Sequence, residues 1–167
     1  MKILKGNLFT VDSDATAITT NGFVKKDGSC VMGRGCALQA SKQVAGLAQH
    51  LGNLITLNGN NVQVINDSPL FISFPVKPSH AIYNGDNAVQ HMRNKFRIGQ
   101  RIPGWACKAS PELIVSSAHQ LRKLTDDMGW QKNAIPRPGC GAGELSWIEI
   151  KPLLSEILDD RFLSVSF

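Results

Sequence analysis

The chain has 167 residues, of which 43% are hydrophobic, 7% aromatic and 19% charged, and it carries a formal net charge of +5. That apolar content excludes intrinsic disorder, and a chain of this size buries roughly 70% of its unfolded surface as one compact domain. No apolar run approaches the ~20 residues that a bilayer crossing needs, which excludes a helical membrane protein.

Met1 to Gly6 contains no stretch of signal-peptide length. The four cysteines (Cys30, Cys36, Cys107, Cys140) form no C-x-x-C pair, so neither a zinc site nor a disulfide frame is indicated. The expectation is a single domain over residues 1–167, cytoplasmic, reduced and monomeric, with no cofactor and no metal. The positive excess favours anionic partners. Its residues are dispersed, however (Lys25-Lys26, Arg93 to Arg101, Lys108, Arg122-Lys123), which also fits an ordinary solvated surface.

Along the chain, Ile3-Leu4 with Leu8-Phe9, then Ala15 to Thr19, read as strands. Ala37, Ala40, Val44, Leu47 and Leu51 recur at helical spacing, with Gly52 as the expected stop. Val62 to Ile65 and Leu70 to Phe74 read as strands again. Ser79 to Cys107 keeps no clean period and is expected to be a long excursion with one short helix around Asn87 to Phe96. Ile114, Ala118, Leu121, Leu124 and Met128 predict a helix, with Ser110 as N-cap, Pro111 as first helical residue and Gly129 as terminator. Ala134-Ile135 is a short strand. Ser146 and Glu149 have capping-box spacing, but Pro152 predicts that the helix restarts at Lys151 and runs to Leu158. Phe162 to Phe167 is the last strand. Alternating β and α elements after a β-rich start predict a three-layer α/β/α domain with a mixed central sheet.

Two glycine clusters stand at strand ends, each ahead of a helix. The first is Val31-Met32-Gly33-Arg34-Gly35-Cys36-Ala37; the second is Pro136-Arg137-Pro138-Gly139-Cys140-Gly141-Ala142-Gly143. Glycine lets the backbone approach a ligand, and a helix N-terminus offers unpaired N–H groups and partial positive charge. Neither cluster fits G-x-x-x-x-G-K-S/T or a dinucleotide-binding G-x-G-x-x-G. Two such loops on one sheet edge would hold a diphosphate between them.

Gly6-Asn7-Leu8-Phe9, Thr19-Thr20-Asn21-Gly22 with the first glycine loop, and Pro136 to Gly141 together resemble a macro domain, the α/β/α module that binds ADP-ribose. The likeness spans nearly the whole chain and is nearest to the compact bacterial and phage branch that includes the terminal ADP-ribose glycohydrolases. It implies that Asn21 bonds hydroxyls of the distal ribose. Backbone N–H groups of Gly33, Arg34, Gly35 and Cys36 would contact the distal phosphate and ribose. Gly139, Cys140, Gly141, Ala142 and Gly143 would wrap the other side of the diphosphate. Leu8, Met32 and Pro138 complete the expected ligand-binding set. Asn7 stands where most members have an Asp that accepts from the adenine amino group.

The catalytic pattern of the family is incomplete. The acid expected in the second glycine loop falls at Gly143, with Glu144 one step later; the lysine expected after the Asn has Lys25 and Lys26 as candidates, in an inserted segment from Phe23 to Cys30. Asn21, Lys26 and Glu144 are therefore the candidate catalytic residues. A second reading takes Lys26 with Asp27 as a solvated turn, Glu144 as charge at the start of the last helix, His80 as a loop histidine, Cys140 as a small buried residue and Trp147 as an anchor under the second loop. The resemblance implies hydrolysis of an ADP-ribosyl linkage on a modified macromolecule, or of phosphate from ADP-ribose-1″-phosphate. The alternative is an ADP-ribose-binding module without turnover. A third reading gives His91, Arg93, Lys95, Phe96, Arg97, Arg101 and Trp105 to single-stranded nucleic acid.

Overall fold

The computed structural model describes residues 1–167. Its centre is a six-stranded mixed sheet in the order β1-β8-β7-β2-β4-β3. The strands are β1 (Lys2–Lys5), β2 (Ala15–Asn21), β3 (Gln63–Asp67), β4 (Leu70–Lys77), β7 (Asn133–Ile135) and β8 (Phe162–Ser166). All neighbours pair in parallel except β3 with β4, so β1, β8, β7, β2 and β4 end at one edge of the sheet. A separate hairpin joins β5 (His80–Ile82) to β6 (Arg101–Pro103).

Helices cover both faces, as the sequence predicts. On one face α3 (Pro111–Met128) and α4 (Trp147–Ile157) bury Ile114, Leu121, Ile150 and Leu154 against Ile72, Phe74, Ile135 and Phe162. On the other, α1 (Gly35–Gln43) and α2 (Leu47–Asn58) bury Ala40, Leu47 and Leu51 against Ile18, Ile65 and Phe71. The period-2 alternation of β4 explains the split: Phe71 faces one helical layer, Ile72 and Phe74 the other.

The α3 boundaries are the expected ones. The Ser110 hydroxyl accepts from Leu113 N at 3.2 Å, Pro111 opens the helix, and Gly129 ends it at φ +71°. Four other expectations are corrected. Leu8-Phe9 is a turn rather than strand, because Asn7 Oδ1 accepts from Phe9 N at 2.9 Å and closes an Asx turn. The single helix over Ala37 to Leu51 is two helices, broken by Gly46 in a left-handed conformation. Gly52 does not stop α2, which runs on to Asn58. The last helix does not restart at Lys151: it runs through Pro152, and Ser146 gives no side-chain cap. Pro152 and Ile148, whose carbonyl loses its helical donor, are both exposed, so water can satisfy that oxygen.

Gly52 has another job. A Cβ there would overlap the Gly28 carbonyl, because the inserted segment Phe23 to Cys30 lies flat on α2, with Cys30 N donating to Ala48 O at 2.9 Å. Gly52→Ala should therefore cost about 1–3 kcal/mol, read as a lowered urea midpoint with the m-value unchanged.

The Ser79 to Cys107 excursion is ordered around a small cluster of its own, Tyr83, Ala88, Ile102 and Cys107. Its expected short helix is a 3₁₀ turn at Gln90–Lys95. Backbone bonds from Val89 N to Ala106 O and from Lys108 N to Asn87 O, both 2.9 Å, fasten the segment before that turn to the chain following β6.

Candidate functional site

A cavity of about 510 Å³ opens where the five parallel strands end. Each strand supplies its carboxyl end: Gly6, Leu8 and Phe9 follow β1, Val165 and Ser166 close β8, and Pro136 follows β7. β2 supplies Thr19, Thr20 and Asn21, and β4 supplies Val76 and Lys77. This is the position at which open α/β sheets bind ligands.

Both glycine loops line this same cavity, through Gly33, Arg34, Gly35, Cys36 and Ala37 on one side and Gly139, Gly141, Ala142 and Gly143 on the other. Gly35 begins α1; Arg34 stands at its N-cap in extended conformation with no side-chain cap, and no acid occupies the first turn. The free N–H groups and positive pole of α1 are thus uncompensated by protein side chains.

The other expected residues distribute unevenly. Leu8 and Asn21 line the cavity; Met32 and Pro138 are buried behind the loops, and Cys140 is half-buried with its thiol on Pro138 O at 3.4 Å. Burial pushes the Cys140 thiol pKa up, which suits an inert packed residue. Asn7 is exposed beside the cavity, with Oδ1 engaged by Phe9 N. Asn21 does more than face the cavity: its amide donates to Val31 O at 2.9 Å and accepts from Phe23 N at 3.0 Å, fixing both ends of the inserted segment.

Lys26 is exposed in a turn outside the cavity, beside Asp27, which accepts from Ser29 N and Oγ. His80 also lies outside it, edge-on to Phe23 at 5.4 Å. Trp147 packs under the second loop with the Arg137 guanidinium 5.2 Å above its ring. Glu144 is exposed at φ +62°, and its Oε2 accepts from Gln90 N at 2.8 Å rather than capping α4. The basic-aromatic stripe is divided. His91 and Trp105 face the cavity, Phe96 packs on Tyr83, Arg93 pairs with Asp86, and Lys95, Arg97 and Arg101 are exposed.

The residue that sequence reasoning does not single out is Lys77, only 8% exposed at the end of β4. Its ammonium donates to Ala142 O at 3.2 Å and to Trp105 O at 3.4 Å, and no carboxylate forms an ion pair with it. Burial holds its pKa below the ordinary lysine value; Arg34 acts in the same direction, Cys107 and Glu144 against it. A lysine closing a strand that is apolar but for Ser73, Leu70–Lys77, is the sequence signal that marks it. The cavity thus places two glycine-rich backbone loops beside one buried amine whose pKa burial lowers.

No protein-family model matches the sequence, and no curated protein shows significant similarity to it. Solved structures do match. The macrodomain of Mycobacterium tuberculosis DarG superposes with a TM-score of 0.71 at 18% identity, covering 98% of this chain and 95% of that one. The macrodomain of Thermus aquaticus DarG gives 0.69 at 19% identity, covering 99% and 97%. Thermosipho africanus DarTG, solved in complex with ADP-ribose, gives 0.66 at 17% identity, with 98% of this chain matching 41% of that one. The strand order, the two helical layers and these superpositions agree: the chain has the macrodomain fold.

Proposed function

We propose that the cleft binds ADP-ribose and that the protein hydrolyses the bond at C1″ of the distal ribose in an ADP-ribosylated macromolecule. The observation that carries the reading is Lys77, a buried amine of lowered pKa between the two glycine loops. The N–H groups at Gly33, Gly35 and Cys36 and those around Gly141 to Gly143 flank a space suited to the diphosphate. Leu8, Phe9 and Val165 give one end of the cleft an apolar lining for a base, and Asn21 lies beside the distal sugar. The ADP-ribose held by the structurally similar Thermosipho africanus protein supports this ligand.

Lys77, rather than Lys26, takes the lysine role that the family resemblance implies. In its unprotonated form Nζ attacks C1″, and the leaving group departs with a proton. The glycosylamine opens to an imine as its N–H proton passes to the ring oxygen; water then adds across C1″=N, returning the amine and leaving the C1″ aldehyde, which closes to the free sugar. Tested by calorimetry, ADP-ribose should bind with AMP weaker by tenfold or more, on the order of one charge-assisted hydrogen-bond set. Turnover should be found with ADP-ribosylated protein or ADP-ribosylated DNA, and any cleavage of ADP-ribose-1″-phosphate should break C1″–O rather than P–O, so that labelled water oxygen enters the sugar and not the phosphate. Binding without turnover of any of the three leaves the module reading instead.

A further inference from the structure

We propose that Glu144 is a positioning residue: its carboxylate ties the strap Asn84 to Phe96 across the cleft and thereby sets the place of Lys77. The inference rests on the hydrolase reading for its effect on turnover, but not for the tie itself.

Glu144 is the one non-glycine residue of the chain with positive φ, at +62°. Such a conformation is unfavourable for a residue with a Cβ and persists where surrounding bonds over-determine it. Those bonds are present. Glu144 N donates to Gly141 O at 3.0 Å, holding the second glycine loop, while Oε2 receives Gln90 N at 2.8 Å, where the 3₁₀ turn of the strap begins. The charged acceptor makes this a strong tie in an otherwise exposed position.

The strap has a second tie on the opposite side of the cleft. Arg34 of the first glycine loop donates toward His91 Nε2 at 3.4 Å. Val89 and His91, flanking the Gln90 amide, both line the cavity. The strap therefore bridges the two loops that flank the ligand space.

Lys77 is connected to both ends of the Glu144 tie. One of its carbonyl acceptors is Ala142, two residues before Glu144; the other is Trp105, adjacent to Ala106, which fastens the strap through Val89 N. Releasing Glu144 from Gln90 frees the second loop and the strap to move apart, and the two carbonyls that orient the amine move with them. The role belongs to the hydrogen-bond acceptor, not to the acidity of the carboxyl group.

Glutamine and glycine variants separate these possibilities. Glu144→Gln keeps an acceptor oxygen for Gln90 N. Glu144→Gly removes the acceptor and relieves the left-handed backbone, and that relief offsets part of the lost bond, so the variant still folds. We expect Gln90 amide exchange to accelerate about tenfold or more in the glycine variant and to change little in the glutamine variant. Turnover of the ADP-ribosylated macromolecule should fall roughly 10- to 100-fold in kcat in the glycine variant, with KM little changed, and be restored by glutamine. Equal loss in both variants would overturn the proposal by making the carboxylate a chemical participant. So would unchanged exchange and turnover in the glycine variant. Should the parent protein turn over no ADP-ribosylated macromolecule while the exchange result holds, the hydrolase reading fails and the tie stands.

Discussion

Lys77→Met should abolish turnover of an ADP-ribosylated macromolecule, by at least about 100-fold, while ADP-ribose still binds. Methionine keeps the length and apolar stem of lysine and removes only the amine. Trp105 O and Ala142 O lose their donor, but both face the cavity, where water can replace it. Stability should hold or rise. The folded-state pKa of Lys77 lies below its unfolded value, so burying the ammonium costs stability at neutral pH, a cost that fades as pH rises toward the ordinary lysine value of 10.5. The same shift predicts that kcat/KM climbs with pH and levels off below that value, because the unprotonated amine is the reactive form. Borohydride added during turnover should trap a covalent adduct on the parent protein and none on Lys77→Met. A variant with full activity would remove the amine from the mechanism, and with it the central support of the hydrolase reading.

What the sequence revealed and what it concealed follow from how local each determinant is. Ser110, Pro111 and Gly129 act through bonds a few residues away, so the ends of α3 are visible in the pattern. The glycine loops are visible because their composition departs from the elements around them. The break between α1 and α2 is not, since apolar residues from Ala37 to Leu51 keep one helical face across it while Gly46 turns the backbone. Gly52 looks like a stop because the segment that packs on it, Gly28, lies 24 positions earlier in the chain (52 − 28) and meets it only in the fold. Glu144 looks like charge for α4, yet its partner, Gln90, is 54 residues away. Lys77 ends a strand whose register against β2 determines that it reaches the cavity. Lys26 has the residue type that the resemblance asks for, but its turn is closed by Asp27 and Ser29 away from the cleft.

Gly33→Val or Gly141→Val should leave the fold intact and cut ADP-ribose affinity by about 100-fold or more. The glycines of the two loops differ in what requires them. A Cβ at Gly139 would come within 2.8 Å of Ala109 Cβ, and one at Gly143 within 2.6 Å of Gly139 O, so packing alone requires glycine there. At Gly33 and Gly141 a Cβ would meet no protein atom within 4 Å, and neither residue is at positive φ. Nothing in the fold asks for glycine at these two positions, one on each side of the cleft, yet both line the cavity. Their bareness is explained if a ligand must approach the backbone closely enough for N–H groups to reach its phosphate oxygens. Valine pushes that ligand away, and losing two charge-assisted bonds at about 1.5–3 kcal/mol each yields the stated effect. Calorimetry with ADP-ribose reads the affinity, and thermal unfolding should show a shift of no more than about 2 °C. Unchanged affinity in both variants would place the diphosphate outside the space between the loops, and the proposed binding mode would then be wrong whatever the fate of Lys77.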